Sequence, residues 1–184
     1  NQYSVYGTEN PYYSSPEGAK VEAVFAQSKD EKNILFENKG GRLEVVETFS
    51  GVDFKGTSRS AAYLDYDNDG DLDVIVNDYK GKARLLKNNT SNEMNWVKIE
   101  LEGNPAKNIN RDAIGSKIVV TTKRGMKYKE VLSSTGYLSV HPKRITIGLA
   151  DATEFDLEVI WSNGERLKKS LLKPNREYNF SPEN

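Results

Sequence analysis

The chain is 184 residues long, 36% hydrophobic and 29% charged, with 26 basic against 27 acidic side chains and a formal net charge of −1. So balanced a charge gives no field for nucleic acid, and no apolar run approaches the roughly 20 residues of a membrane-spanning helix. The absence of Cys excludes thiol catalysis, a disulfide framework and zinc–thiolate sites, and a single His excludes chemistry that needs two imidazoles.

Ten Tyr within a 10% aromatic content offset the low apolar share, as expected of a folded chain with a polar surface. The chain opens on Asn1 rather than Met and without a signal-peptide pattern, which points to a processed or excised product. Helical spacing is scarce, and short or alternating apolar runs recur instead. In chain order they predict strands at 21–26, 33–37, 43–47, 61–64, 73–77, 83–87, 96–101, 117–122, 128–133, 144–148, 156–161, 165–171 and 177–180. Turn residues punctuate them at Lys39-Gly40-Gly41, Asn68-Asp69-Gly70, Arg124-Gly125 and Asn163-Gly164. The last of these predicts a hairpin with a type I′ turn, which requires two residues that tolerate positive φ. The fold class is all-β.

A faint repeat runs through the first ninety residues: Asn33-Ile34-Leu35-Phe36-Glu37-Asn38 resembles Ala83-Arg84-Leu85-Leu86-Lys87-Asn88. A period near 50 with about four short strands is the spacing of propeller blades, yet there is room for only about two against the usual four to eight. The expectation is a C-terminal piece of a longer chain, or a piece completed by a partner that covers its open edges. The polar stretch 88–95 sets a domain boundary, giving 1–93 as partial propeller blades and 94–184 as a compact antiparallel β-sandwich or barrel.

One motif carries chemistry. Asp65-Tyr66-Asp67-Asn68-Asp69-Gly70-Asp71-Leu72-Asp73 places carboxylates at positions 1, 3, 5 and 9 of a loop, with Gly at position 6. Alternate positions of a tightly curled loop converge on one centre, and a hard cation such as Ca2+ takes six to eight oxygens. Gly70 permits the sharp turn. Asp71 contributes its backbone carbonyl and leaves its carboxylate in water. The predicted metal residues are therefore Asp65, Asp67, Asp69, Asp71 and Asp73; magnesium and an ion-free, turn-rich loop are the alternatives. An EF-hand is excluded, because its twelfth position is a bidentate Glu and here it is Val76. The corresponding stretch upstream, 14–22, keeps only Gly18 and Glu22 and is expected to bind no metal.

Residues 58–62, the acidic loop and Leu85-Leu86-Lys87-Asn88 together resemble an FG-GAP (VCBS-type) repeat, a β-propeller blade whose Asp-rich loop binds calcium. In the second half the similarity is to the ASPIC/UnbV domain, through Asn110-Arg111-Asp112-Ala113-Ile114-Gly115-Ser116-Lys117-Ile118, Ser134-Thr135-Gly136-Tyr137-Leu138-Ser139, Ile147-Gly148-Leu149 and Val159-Ile160-Trp161-Ser162-Asn163-Gly164. This order is that of the cartilage acidic protein-like family. The resemblance implies an extracellular or cell-surface location, a bacterial surface protein as parent, and a calcium-stabilised fold. It supplies no catalytic or organic-cofactor residues.

Other residues read more plainly. His141 lacks a partner motif and is expected to be a hydrogen-bonding loop residue rather than a general base. Asn110 shapes a turn while Arg111 pairs with a local acid. Trp96 and Trp161 belong to the core. Lys168, Lys169 and Lys173 lie on a solvated strand face, and the sequons at 88–91 are polar turns. Tyr3, Tyr6, Tyr12 and Tyr13 form an interaction surface or pack onto missing blades. The functional expectation is a non-enzymatic, extracellular, calcium-binding module for adhesion or surface assembly. Its partner would be a protein, a glycan or further blades of the same assembly. The alternative is an accessory part of a larger secreted enzyme or export complex.

Overall fold

The computed structural model describes residues 31–46, 51–52, 54–79, 81–89 and 94–182. The predicted strand at 21–26, the upstream 14–22 stretch and the Tyr-rich start lie outside the described residues. Fourteen strands are present among the described residues: β1 (Glu31–Lys32), β2 (Phe36–Lys39), β3 (Arg42–Val45), β4 (Lys55–Gly56), β5 (Ser58–Leu64), β6 (Asp73–Asp78), β7 (Arg84–Leu86), β8 (Asn95–Leu101), β9 (Lys117–Thr122), β10 (Gly125–Glu130), β11 (Ile145–Ala150), β12 (Phe155–Ile160), β13 (Arg166–Leu172) and β14 (Arg176–Phe180). Helix among the described residues is confined to the 3-10 turn Pro105–Lys107, capped by the Asn104 side chain. None is long and apolar enough to cross a membrane. The all-β class stands.

The chain divides into two compact units, residues 1–59 with 77–84, and 60–76 with 85–184. Strands β5, β6 and β7 form one sheet in that order. In the first unit β1 pairs antiparallel with β4, and β2 with β3. The β2–β3 turn is Gly40-Gly41, both at positive φ (63° and 94°), with Asn38 Oδ1 accepting the Gly41 N–H at 2.8 Å. Two successive positive φ values are the type I′ requirement, which a Gly pair meets without strain. Every residue of both strands is exposed.

In the second unit, residues 94–182 form a two-layer structure. One sheet has the order β10-β9-β12-β13, the other β11-β8-β14. Alternate residues of the facing strands fill the space between them: Val97, Ile99 and Leu101 from β8, Ile118 and Val120 from β9, Ile147 and Leu149 from β11, Phe155, Leu157 and Val159 from β12. Their side chains are almost completely buried, which on the scale of about 1.5–3 kcal/mol for each large apolar side chain makes this core the main source of the unit's stability. Strand period two then dictates that Trp96, Lys98 and Glu100 lie on the opposite face of β8.

Three sequence readings need correction here. The expected antiparallel layering has one exception, since β14 runs parallel to β8 with Tyr178 opposite Ile99. β14 follows β13, which lies in the other sheet, so the connection crosses between layers and no hairpin fixes the direction. Asn175 (φ 57°) starts this pairing by exchanging hydrogen bonds with the Trp96 backbone, N–H to O at 2.7 Å and Trp96 N–H to Asn175 Oδ1 at 3.0 Å. The Asn163-Gly164 hairpin forms as expected, but only Gly164 has positive φ (92°). Trp161 N–H bonds Glu165 O at 2.8 Å across a three-residue loop, the form in which one left-handed residue follows an ordinary turn. The strand placed at 128–133 begins instead at Gly125, because Thr122 pairs with it across the two-residue loop Lys123-Arg124.

Candidate metal centre

The acidic loop joins the end of β5 to the start of β6, within the second unit. Its backbone is curled by Asn68 and Gly70, at φ 63° and 98°. The side chains fasten that curl. Asp65 Oδ2 accepts the Gly70 N–H at 2.9 Å, Asp69 Oδ1 accepts the Asp71 N–H at 3.1 Å, and Asp73 Oδ2 accepts the Tyr66 N–H at 3.0 Å. Asp73 is fully buried, and its Oδ1 accepts the Asn88 N–H at 2.8 Å, tying the loop to the chain beyond β7. Gly is required at 70 for a second reason: a Cβ there would collide with the Trp96 indole.

One carboxylate oxygen from each of Asp65, Asp67 and Asp73 lies within 4.8 Å of the others. Asp69 is not brought into this group, its Oδ1 being engaged by the Asp71 backbone. Asp71 was expected to keep its carboxylate in water, yet it is only 9% exposed. The neighbouring Gly70 seats that part of the loop against Trp96, and Asp71 is carried in with it. The decisive atom is Asp65 Oδ1, which is buried and has no hydrogen-bond partner. A buried carboxylate oxygen left bare costs stability unless a cation meets it. The residues present therefore fit a hard, oxygen-seeking ion.

Two ammonium groups also enter the site, and sequence reasoning missed both. Lys98 Nζ lies 2.7 Å from Asp65 Oδ2 and donates to Asn68 Oδ1 at 3.0 Å; the two side chains of the ion pair are only 4% and 3% exposed. Its ammonium also stands 5.0 Å from the Trp96 ring centroid. Lys87 pairs with Asp67 at 2.5 Å and holds that carboxyl below its ordinary range through the hydrogen bond. The signal for Lys98 was available: strand alternation sets it on the Trp96 face of β8, and a lysine is almost never buried without a carboxylate.

His141 Nδ1 accepts the Tyr63 N–H at 3.1 Å and its ring stacks on Tyr63 at 3.7 Å, a positioning role on β5. Burial lowers its pKa below the ordinary value. Asn110 shapes a turn as expected, its amide bonding both the N–H and the O of Ile114 at 2.8 Å. Arg111 is exposed, and among the described residues the local acid, Asp112, pairs with Lys143 instead. Lys168 is a solvated strand residue, 72% exposed. Trp161 is in the core at 3% exposure, whereas Trp96 is outside it, on the far face of β8.

Residues 106–184 match the family model described as ASPIC and UnbV. That stretch covers β9 to β14 and the loop before them, so the matched stretch makes up most of the two-layer core. The chain is also 23% identical to mouse cartilage acidic protein 1 over 133 residues, 70% of this chain. The match takes in only 20% of the length of that protein, so the chain spans about a fifth of it.

Proposed function

We propose that the chain is a non-catalytic, extracellular, calcium-binding module used in adhesion or surface assembly, its 65–73 loop being the calcium site of an FG-GAP-type propeller blade. The observation that carries the calcium reading is the buried, partnerless Oδ1 of Asp65 beside the carboxylates of Asp67 and Asp73. Five carboxylates against two ammonium groups leave three formal negative charges in the loop region, which a divalent ion reduces. Bound there, the ion supplies charge neutralisation and stiffens the turn between β5 and β6. Asp65, Asp67 and Asp73 would hold it. At the millimolar calcium found outside cells even a modest site fills.

The blade reading draws support from β2 and β3, whose Phe36, Leu43 and Val45 are 51%, 69% and 54% exposed. Apolar residues in that number on one hairpin suit a neighbouring sheet of the same assembly. The second reading, an accessory part of a larger protein with its chemistry elsewhere, is favoured by one fact: the chain spans a fifth of mouse cartilage acidic protein 1.

Thermal unfolding with and without chelator tests the calcium site. At calcium about 100 times the dissociation constant, the ion should add roughly 2.7 kcal/mol to stability. Asp67→Ala should remove that difference; a variant that responds to chelator as the wild type does would end the calcium reading.

A further inference from the structure

Lys98 is a buried cation in a place where an ion is expected. It projects from the side of β8 opposite the core, and its residue is 3% exposed. Its ammonium meets the first and fourth positions of the acidic loop, Asp65 at 2.7 Å and Asn68 at 3.0 Å, beside the Trp96 ring. The carboxylate it touches is the same one whose other oxygen, Oδ1, is buried without a partner.

We infer that Lys98 sets the affinity of the acidic loop for divalent cations, acting as a tethered ammonium that competes with the ion for Asp65. This rests on the calcium reading above. An ion that engages Asp65 shares its carboxylate with a fixed positive charge, and like charges so close repel. When no divalent ion is bound, the ammonium keeps the loop folded and partly neutralised, so the loop is preformed rather than ion-dependent. The result is a site of reduced affinity that fills only where calcium is abundant.

Removing Lys98 has two opposed effects. It relieves the repulsion, and it deletes the hydrogen bond that holds Asn68. A hydrogen bond from an ammonium to a neutral acceptor contributes about ten- to 150-fold, whereas a single and a double charge at this proximity in a water-poor site interact more strongly than that. Repulsion wins, and affinity should rise.

The test is calorimetric titration of calcium chloride into the chelator-stripped chain. Lys98→Met and Lys98→Gln should each bind calcium about tenfold tighter or more than wild type. Lys98→Gln retains a donor for Asn68, and circular dichroism checks that both variants fold. Equal or weaker binding in the folded variants would overturn the inference while leaving the calcium site intact. No calcium heat from any of the three folded proteins would remove the calcium reading itself. A readout on the wild-type chain does not depend on any variant: lysine acetylation followed by mass spectrometry should increase at Lys98 when calcium is added. Labelling at Lys98 that is the same in calcium and in chelator, under conditions where calcium binds, would equally overturn the inference.

Discussion

The β2–β3 hairpin and the two-layer structure of residues 94–182 are written in much the same alphabet and meet opposite fates. In the hairpin, Phe36, Leu43 and Val45 are half or more exposed; in the layers, Val97, Ile99, Ile118, Val120 and Val159 are completely buried. Alternation tells a strand which face to cover, but not what covers it. The layers supply their own cover, because β8, β9, β11 and β12 face one another within a single unit. For the hairpin, cover among the described residues is missing. Apolar content is thus a poor measure of contribution to stability, and the presence of a facing sheet is a good one.

Truncation of one aromatic in each region puts this to the largest test. Phe155 is 2% exposed and meets Tyr178 edge-on at 6.1 Å. Phe155→Ala should cost about 3–5 kcal/mol in chemical denaturation, through lost transfer energy and the cavity left behind. Phe36→Ala should stay within about 0.5 kcal/mol, as exposed substitutions do. Comparable losses at the two sites would show that the hairpin has a covering partner in solution, and the contrast would dissolve.

The same contrast recurs on a smaller scale inside the acidic loop. Asp65 faces a buried ammonium, Asp67 an exposed one. Asp65→Ala strands Lys98 without its counter-charge, which should cost about 3–5 kcal/mol even in chelator. Asp67→Ala in chelator should change little, because Lys87 simply returns to water. Denaturation midpoints in chelator read this directly. If Asp67→Ala proved the more costly, the loop would owe its ion-free stability to something other than Lys98.

These pairs also show what a sequence can and cannot convey. Strand positions were legible because period two and turn residues are local properties: β9 falls where expected to the residue, and the Gly40-Gly41 turn follows from its own φ preferences. The acids that converge were legible for the same reason, being spaced within nine residues. What could not be read is pairing between distant segments. The parallel β14–β8 contact joins residues about 80 positions apart, and the Lys98–Asp65 pair joins 33. Asp71 was misplaced for this reason too, since its burial follows from Trp96 beneath Gly70 rather than from anything in the loop. Local spacing proposes a site, and the opposing strand decides its charge.

The smallest effect expected concerns His141, where the 134–142 segment meets β5. The imidazole stacks on Tyr63 and accepts its N–H only while Nδ1 is unprotonated. Burial lowers its pKa, so as pH falls below about 6.5 the unfolded chain takes up the proton before the folded one does. His141 therefore contributes stability above that value and loses it as pH drops toward the lower folded-state pKa, below which the loss levels off. This is opposite to a histidine held by an acid, and none of the hydrogen bonds or ring contacts found for His141 involves an acid. His141→Phe keeps the stacking and removes the titration. Carboxylates elsewhere titrate alike in both proteins, so the stability difference between wild type and variant isolates the imidazole. That difference should be greater at pH 7.5 than at pH 5, by no more than the roughly 0.5–1.5 kcal/mol of one hydrogen bond. A gap that stays constant across the range would mean that the Tyr63 N–H holds its bond to the ring in neither protonation state, leaving only the stacked face to join this segment to β5.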